Sequence, residues 1–183
     1  MDSNKIEKLI RELIIAIGED PDREGLENTP KRVAKSFEKI FSGYDKDSCG
    51  LLTQFDGENY DEMIICKDID FYSTCEHHLQ PFMGKIHIGY IPDKKIIGIS
   101  KLPRIVEVYA RRMQNQERLT VQIADTIYKL LNPKGFGIVI EAYHLCMRAR
   151  GVEKQNAVIT TSSFRGLFKA NQKTRYEFLR LIK

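Results

Sequence analysis

From residue 61 onward the hydrophobic pattern changes in a regular order: two strand-like stretches, two helical stretches, two further strand-like stretches and a short closing helix. Apolar and polar residues alternate in GKIHIGYIP (84–92), as in a strand with one buried face. In QERLTVQIADTIYKLL (116–131) apolar residues recur every three or four positions, as on one side of a helix. Two helices on one face of an antiparallel sheet would bury both patterns, so the sequence predicts an α+β fold with the order ββααββ. The other face of such a sheet also needs cover, which suggests an oligomer.

The first sixty residues have a different pattern and predict a helical N-terminal arm over 1–60, ahead of a domain over 61–183. Near the start, NKIEKLIRELIIAI places its apolar side chains on one helical stripe. Thr29 and Pro30 are typical of a second helix start, with Thr as the N-cap and Pro at the first helical position. A polar, Gly-containing stretch then predicts a linker to the domain.

Composition narrows the function classes. The chain has 183 residues and a formal net charge of +4, from 29 basic and 25 acidic side chains. This mild excess is not the basic stripe of a DNA-binding domain, and no RNA-binding aromatic motif or zinc-finger spacing occurs, so a nucleic-acid module is a distant alternative. No run of about 18 apolar residues occurs, so we expect no membrane-spanning helix. The N-terminus does not resemble a signal peptide, so we expect a cytoplasmic protein whose four cysteines are thiols or metal ligands.

Cys75 and His78 lie three positions apart in STCEHHLQPF, a spacing that lets a thiol and an imidazole at a turn bind one zinc ion. Taken alone, such a pair is more often a buried thiol beside a hydrogen-bonded imidazole. His144 and Cys146 lie two apart in a predicted strand, so their side chains should share one face. If the two strands are neighbours, two thiolates and two or three imidazoles meet there. Four protein ligands would form a closed structural zinc site, whereas three would leave one position for water.

Three further metal-capable side chains are not counted among the metal candidates, two of them, Cys49 and Cys66, because they have no ligand-like neighbours in the sequence. Cys49 and Cys66 are interpreted as ordinary thiols. His87 lies in the middle of the alternating strand and is interpreted as an outward-facing or packing residue. The metal hypothesis therefore depends on the two segments that carry Cys75 and Cys146.

Ser100, Lys101 and Arg104 cluster at the start of a predicted helix. Free backbone N–H groups, the helix dipole and two cations at such a place favour a bound phosphate. Arg148 and Arg150 add a second basic group beside the metal candidates. The alternative is that these side chains are simply solvated, as most Lys and Arg residues at element ends are.

Gln116 and Glu117 open the next predicted helix. An acid in the first turn of a helix is favourable without any function. An amide beside a carboxylate can also bind a guanine, because the carboxylate accepts hydrogen bonds from N1–H and the 2-amino group. Both interpretations stay open on the residues alone.

Five stretches together closely resemble the GTP cyclohydrolase I family: GEDPDREGLENTPKRVAKSFEKIFSGY, FYSTCEHHLQPFMGKIHIGYIP, GISKLPRIVEVYARRMQNQERLT, HLCMRARG and TSSFRGLFK. The resemblance begins near residue 5 and keeps the family's order over nearly the whole chain. It implies the tunnelling fold, a zinc cofactor and the conversion of GTP and water to 7,8-dihydroneopterin triphosphate and formate, the first step of folate or pterin biosynthesis. It also implies a toroidal homodecamer with active sites between subunits.

The resemblance also implies roles for individual residues. The zinc ligands are Cys75, His78 and Cys146, and the catalytic histidines are His77 and His144. The residues implied to contact substrate are the guanine anchors Gln116 and Glu117 and the triphosphate contacts Ser100, Lys101, Arg104 and Arg150, with Arg32 and Lys35 as weaker candidates. In the implied mechanism zinc-bound water attacks C8 of guanine and the histidines transfer protons. Which histidine acts at which step is open, and Glu76 has no assigned role.

Two other functions remain as alternatives. A non-catalytic binding protein of the same fold would use zinc to hold its core, would unfold on metal loss and would bind GTP without turnover. The histidines beyond the ligand set argue against this, since structure does not need them. Another tunnelling-fold enzyme could act on a different pterin or deazapurine, and a comparison of GTP with guanosine as substrates would separate that case.

Overall fold

The computed structural model of the protein describes residues 1–51 and 53–183, without the side chain of Cys49. The interpretation of Cys49 as an ordinary thiol therefore lies outside the described residues. The described chain divides into two compact units, Met1–Ser42 and Gly43–Lys183. The domain boundary predicted near residue 60 remains a prediction. No helix in the described ranges combines the length and the apolar character that crossing a membrane requires.

The first unit is a pair of helices, α1 (Ser3–Ala16) and α2 (Thr29–Ile40), where the apolar stripe and the Thr-Pro pair predict helices. The predicted N-cap is wrong by one residue, because α2 begins at Thr29 and its N-cap is Asn28. The side chain of Asp2 caps α1 by accepting a hydrogen bond from the backbone N–H of Lys5. Ser3 Oγ donates to Glu38 Oε1 at 3.2 Å, which links the start of α1 to the end of α2.

In the described residues of the second unit, seven strands and five α-helices follow a short 3-10 turn (Cys49–Leu51). The strands are β1 (Gln54–Asp56), β2 (Ile64–Cys75), β3 (Pro81–Ile91), β4 (Lys95–Ile97), β5 (Met113–Gln114), β6 (Gly135–His144) and β7 (Ile159–Gly166). The helices are α3 (Lys101–Ala110), α4 (Gln116–Leu131), α5 (Leu145–Arg148), α6 (Leu167–Ala170) and α7 (Gln172–Leu181).

The main sheet has the order β5-β2-β3-β6-β7, and only the short β5 runs parallel to its neighbour. The long strands and the two middle helices occur in the predicted order ββααββ, which confirms the α+β class. The stretch predicted as a linker contains β1, which pairs antiparallel with β4 in a separate two-stranded sheet. Sequence alone did not reveal β1 because three residues are too few to show an alternating pattern.

Helices α3 and α4 pack against one face of the sheet and form the main core. Ile86 and Ile88 on β3 are fully buried there, as their alternation predicts. The helices contribute apolar side chains that are also fully buried, including Ile105, Val106, Leu119, Ile123 and Ile127. Each such side chain contributes roughly 1.5–3 kcal/mol through burial, so this face fixes the positions of the strand ends that carry the site.

The other face of the sheet is covered in part by the C-terminal helices. Val139 of β6, Phe168 of α6 and Phe178 of α7 form a second apolar cluster there. His87 lies on that side and is buried, and its Nδ1 accepts a hydrogen bond from the backbone N–H of Asp68 at 3.2 Å. His87 is thus a packing residue, which is the second of the two interpretations that its sequence position allowed. Because the C-terminal helices cover part of this face, the sheet pattern alone is weaker support for an oligomer, which remains a prediction.

Candidate metal centre and active site

Cys75, His78 and Cys146 form a cluster whose ligand atoms all lie within 4.8 Å of one another. Cys75 is the last residue of β2, and His78 lies in the turn that follows. The turn closes because Cys75 N–H donates to the backbone oxygen of Gln80 and Leu79 N–H donates back to that of Cys75. Leu79 takes a left-handed conformation with φ 54°. This tight turn brings His78 Nδ1 to 3.7 Å from Cys75 Sγ.

Cys146 reaches the cluster from a helical turn, so the prediction that it lies in a strand is wrong. Strand β6 ends at His144, which is opposite Phe82 of β3, and Cys146 belongs to α5. The next position of β3 is Pro81, its first residue, which has no N–H to donate. Because the hydrogen-bond ladder stops there, the chain can turn into α5 and bring Cys146 to the cluster by this route.

The chemistry of the three ligands fits zinc. Two thiols and one imidazole are a common zinc donor set, and three protein ligands leave a tetrahedral ion one further position. Burial, followed by the neighbouring Cys75 thiol, raises the pKa of the Cys146 thiol. A bound dication would stabilise the thiolate form that these surroundings disfavour at Cys146. The donor set therefore suits a cation better than it suits an apolar core.

His144 is the better fixed of the two predicted catalytic histidines. Its ring stacks on that of Phe82, with 4.7 Å between the centroids and an angle of 4° between the planes. His144 Nε2 lies 2.8 Å from Gln116 Oε1. Burial lowers the pKa of His144, and the nearby carboxylate of Glu117 opposes that shift. The half-buried imidazole is therefore held in place and favours its neutral form.

His77 is held much more loosely. Its side chain is 65% exposed, and its Nε2 lies 3.8 Å from Glu76 Oε1, beyond hydrogen-bond distance. Its ring meets that of His78 edge to face, with 6.2 Å between the centroids. Among the described residues no hydrogen bond fixes the orientation of this ring.

Glu76, which had no assigned role, links the turn that carries His78 to the start of α4. Its carboxylate pairs with the guanidinium of Arg118 and accepts a hydrogen bond from Asn115 Nδ2 at 2.9 Å. Its backbone N–H donates to the carbonyl oxygen of Gln114 at 3.0 Å. The hydrogen bond from Arg118 is the main cause that lowers the pKa of Glu76. Sequence reasoning missed Arg118 and Asn115, although both flank the Gln116–Glu117 pair that it singled out.

Gln116 and Glu117 are adjacent in sequence but differ in exposure. Glu117 is exposed at the start of α4, whereas Gln116 is 2% exposed. The side-chain amide of Gln116 is occupied by protein groups, among them His144 and the carbonyl oxygen of Ile140. Contact of either residue with guanine remains a prediction, and Glu117 is the one whose polar atoms face solvent.

The predicted phosphate contacts fall into three places. Ser100, Lys101 and Arg104 lie together at the start of α3, where the Ser100 side chain makes no capping hydrogen bond. Arg150 follows α5 and lies close enough to Cys146 to oppose the rise in the pKa of its thiol. In the described part of the chain no hydrogen bond or ion pair joins the α3 group to Cys75, His78 or Cys146. The two weaker candidates, Arg32 and Lys35, lie on α2 in the first unit.

Comparison with known proteins gives a consistent result over nearly the whole chain. The family model for GTP cyclohydrolase I matches residues 6–183. The GTP cyclohydrolase 1 of Chlorobaculum tepidum is 60% identical over 171 residues, covering 93% of this chain and 76% of the relative. The proteins of the same name from Wolinella succinogenes and Leptospira biflexa are 55% and 56% identical over 182 and 179 residues. These two alignments cover 98% and 97% of this chain, and 97% and 98% of the relatives.

Proposed function

The chain belongs to the GTP cyclohydrolase I family, and on that premise we propose that it converts GTP and water to 7,8-dihydroneopterin triphosphate and formate. The observation that carries this proposal is the cluster of Cys75, His78 and Cys146, with His144 held two residues before Cys146. A structural zinc site would not need a further imidazole fixed beside it. A hydrolase needs such a group to transfer protons.

We propose that Cys75, His78 and Cys146 hold a zinc ion. A zinc ion bound there supplies a Lewis acid that makes water a stronger nucleophile near neutral pH. The chain itself contributes the tight turn after β2 and the helical turn of α5, which present the three ligands from two separate segments. Zinc would therefore also link β2 to α5.

The reaction needs a proton donor because C8 of guanine is a poor electrophile. Protonation of N7 makes C8 more electrophilic, so that water can add to it and open the five-membered ring. A second hydrolysis then releases formate, and opening of the ribose, an Amadori rearrangement and closure to the pterin ring complete the sequence. His144 and His77 are the proposed proton-transfer groups, because imidazole exchanges protons near neutral pH.

Substrate binding is proposed to use both ends of the GTP molecule. Glu117, exposed at the start of α4, can accept hydrogen bonds from guanine N1–H and the 2-amino group. The proposed triphosphate contacts are Ser100, Lys101, Arg104 and Arg150, with Arg32 and Lys35 as weaker candidates. The start of α3 suits a phosphate because its first N–H groups and its dipole add to the side-chain cations. This basic group is the reason to prefer GTP to guanosine.

We further propose a cytoplasmic homo-oligomer, a decamer with active sites between subunits. Support comes from the family and from apolar side chains that are exposed close to the predicted site. Leu79 in the metal-binding turn is 65% exposed, and Ile99 just before α3 is 79% exposed. Large apolar side chains at such positions are typical of a surface that a partner covers. Light scattering of the purified protein measures the assembly directly.

The products give the test of the proposed reaction. The zinc-loaded protein is incubated with GTP, formate is measured, and the pterin is oxidised to a fluorescent form and identified by mass. We expect formate and the pterin in equal amounts from GTP and far less turnover of guanosine. Binding of GTP without formate release would favour the non-catalytic alternative. Equal turnover of guanosine would favour a different purine-like substrate.

A further inference from the structure

A chain of hydrogen bonds behind His144 fixes the orientation of the Gln116 side chain. Gln116 Nε2 lies 3.1 Å from the carbonyl oxygen of Ile140 and 3.0 Å from that of Ile159. Carbonyl oxygens only accept hydrogen bonds, so the amide nitrogen must face them. The amide oxygen, Oε1, must then face His144 Nε2, 2.8 Å away. The two backbone carbonyls thus fix the orientation of the Gln116 amide, whose nitrogen and oxygen cannot be told apart by the shape of the side chain alone.

Two threonines also oppose the reversed orientation of the Gln116 amide, because it would break their hydrogen bonds. Thr120 Oγ1 lies 2.7 Å from the backbone oxygen of Gln116 and must donate to it. Thr161 Oγ1 lies 2.7 Å from Thr120 Oγ1, whose one hydrogen is already used, so Thr161 donates to Thr120. The lone pairs of Thr161 are then free to accept from Gln116 Nε2 at 3.0 Å, so its two hydrogens are shared among three acceptor oxygens. The donor and acceptor of each hydrogen bond in this series therefore follow from the backbone carbonyl oxygens, which can only accept.

Burial removes water as a substitute partner. Gln116 is 2% exposed and Thr120 is 1% exposed. Turning the amide over would place its oxygen against the carbonyl oxygens of Ile140 and Ile159 and leave both groups unsatisfied in the core. The arrangement is therefore a rigid acceptor aimed at one nitrogen of His144.

We propose that Gln116 is a positioning residue that holds His144 in the tautomer with a proton on Nε2, because its Oε1 accepts the hydrogen bond from that nitrogen and leaves the Nδ1 edge of the ring to serve the reaction. The hydrogen bond selects which ring edge faces Gln116, and the stacked ring of Phe82 fixes the ring plane. The assignment of the tautomer rests on the geometry alone. The catalytic use of Nδ1 rests on the proposed function.

The adjacent residues Gln116 and Glu117 would then have different tasks. Glu117 points to solvent, where a guanine could reach it, whereas the polar atoms of Gln116 are directed at the protein. Gln116 then acts on the substrate through His144.

Nitrogen-15 NMR of the zinc-loaded, full-length protein labelled on histidine tests the tautomer without any substrate. The signals of His144 are assigned by their loss in His144→Ala. At a pH where the ring is neutral we expect a protonated Nε2 and an unprotonated Nδ1. A proton on Nδ1, or an even mixture of the two forms, would overturn the proposal whether or not GTP is the substrate.

A pair of variants at Thr161 tests the link to turnover, because Thr161 lies in the chain of hydrogen bonds and outside the proposed substrate contacts. Thr161→Val removes the hydroxyl at nearly constant shape, and we expect kcat to fall by about fivefold, the effect of one hydrogen bond, with KM for GTP and zinc content unchanged. Thr161→Ser keeps the hydroxyl and should restore kcat. Equal kcat in both variants, although Thr161→Val shows mixed tautomers of His144, would overturn the catalytic part of the proposal.

Gln116→Met gives the larger effect. Methionine nearly fills the same volume but offers no comparable acceptor to His144, so we expect mixed tautomers and a fall in kcat of about a hundredfold, within the usual range for a general acid–base group. If this variant does not fold, the NMR measurement on the native protein and the Thr161 pair still decide the question.

Discussion

His77 and His144 belong to the two segments that form the Cys75–His78–Cys146 cluster, and they are held in different ways. The His77 side is the turn with Cys75 and His78, and the His144 side is the end of β6 with Cys146. His144 ends a strand of the main sheet, stacks on Phe82 and is hydrogen-bonded to a buried amide. His77 lies in an exposed turn with 65% of its side chain open to solvent and no hydrogen bond in the described residues. The chain alone therefore prepares one imidazole for proton transfer. The other can be oriented only by what binds next to it, such as substrate or a neighbouring subunit.

The largest expected effect comes from replacing one of the proposed zinc ligands, which lie in both segments. In Cys146→Ser the α5 side loses its thiol, and we expect loss of bound zinc and of all measurable GTP turnover, because softer thiolate ligands bind zinc much more strongly than hydroxyls. Cys66→Ser is the matched control, since Cys66 is a part-buried thiol outside the cluster. Metal analysis and formate release are measured for both. Zinc retained at the native level in Cys146→Ser would remove Cys146 from the ligand set.

The next largest effect is expected on kcat when either of the two histidines is replaced. We expect His144→Ala to lower kcat by about 10²–10⁴, the usual contribution of a general acid–base group, with zinc content kept. His77→Ala should also lower kcat, but added imidazole should restore part of it, because the vacated place is open to solvent. In His144→Ala the same imidazole should restore less, since the ring is half buried. Turnover of His144→Ala at the native rate would exclude it as a catalytic residue.

A smaller effect is expected from the contact that steadies the His77 side. Glu76→Gln removes the charge that pairs with Arg118, and we expect zinc affinity to fall by about tenfold, as for other groups that orient metal ligands. Asp125→Asn is the control, because Asp125 pairs with Arg165 in an ion pair of the same kind elsewhere. Competition with a fluorescent zinc chelator gives the affinities. Equal affinities in the two variants would show that the turn does not depend on Arg118.

The smallest effect should come from the stacking partner on the His144 side. Phe82→Leu keeps an apolar residue in the core but removes the flat surface under the imidazole, and we expect kcat to fall about threefold to tenfold. Phe71→Leu, at an equally buried neighbour, controls for the loss of packing. Thermal unfolding should shift to a similar extent in both variants, so a fall in kcat confined to Phe82→Leu would identify the stacking contact as its cause. A similar fall in both would assign it to packing.

Much of the fold could be predicted because it depends on local periodicity. The alternation around Ile86 and the helical stripe of α4 predicted their elements and the order ββααββ. The cover that α6 and α7 provide over the second sheet face could not be predicted, because it depends on an apolar cluster whose members, such as Phe168 and Val139, are far apart in sequence. Local pattern also failed at Cys146, where the end of the ladder at Pro81 stops the strand.

In the candidate site, as in the fold, features that depend on nearby residues could be predicted and features that depend on distant residues could not. The spacing of Cys75 and His78 predicted that they could share an ion, because a turn brings near neighbours together. The partners of Gln116 could not be predicted, since the carbonyls of Ile140 and Ile159 lie 24 and 43 residues away in sequence. The pairing of Glu76 with Arg118, 42 residues apart, was missed for the same reason.

Back-titration of zinc tests the central claim most directly. The protein is stripped with a chelator, reduced and supplied with increasing zinc while formate release from GTP is followed. We expect no turnover in the stripped protein and a linear rise that ends at one zinc per chain, with Cys75, His78 and Cys146 all required. Full turnover in the metal-free protein would contradict the account.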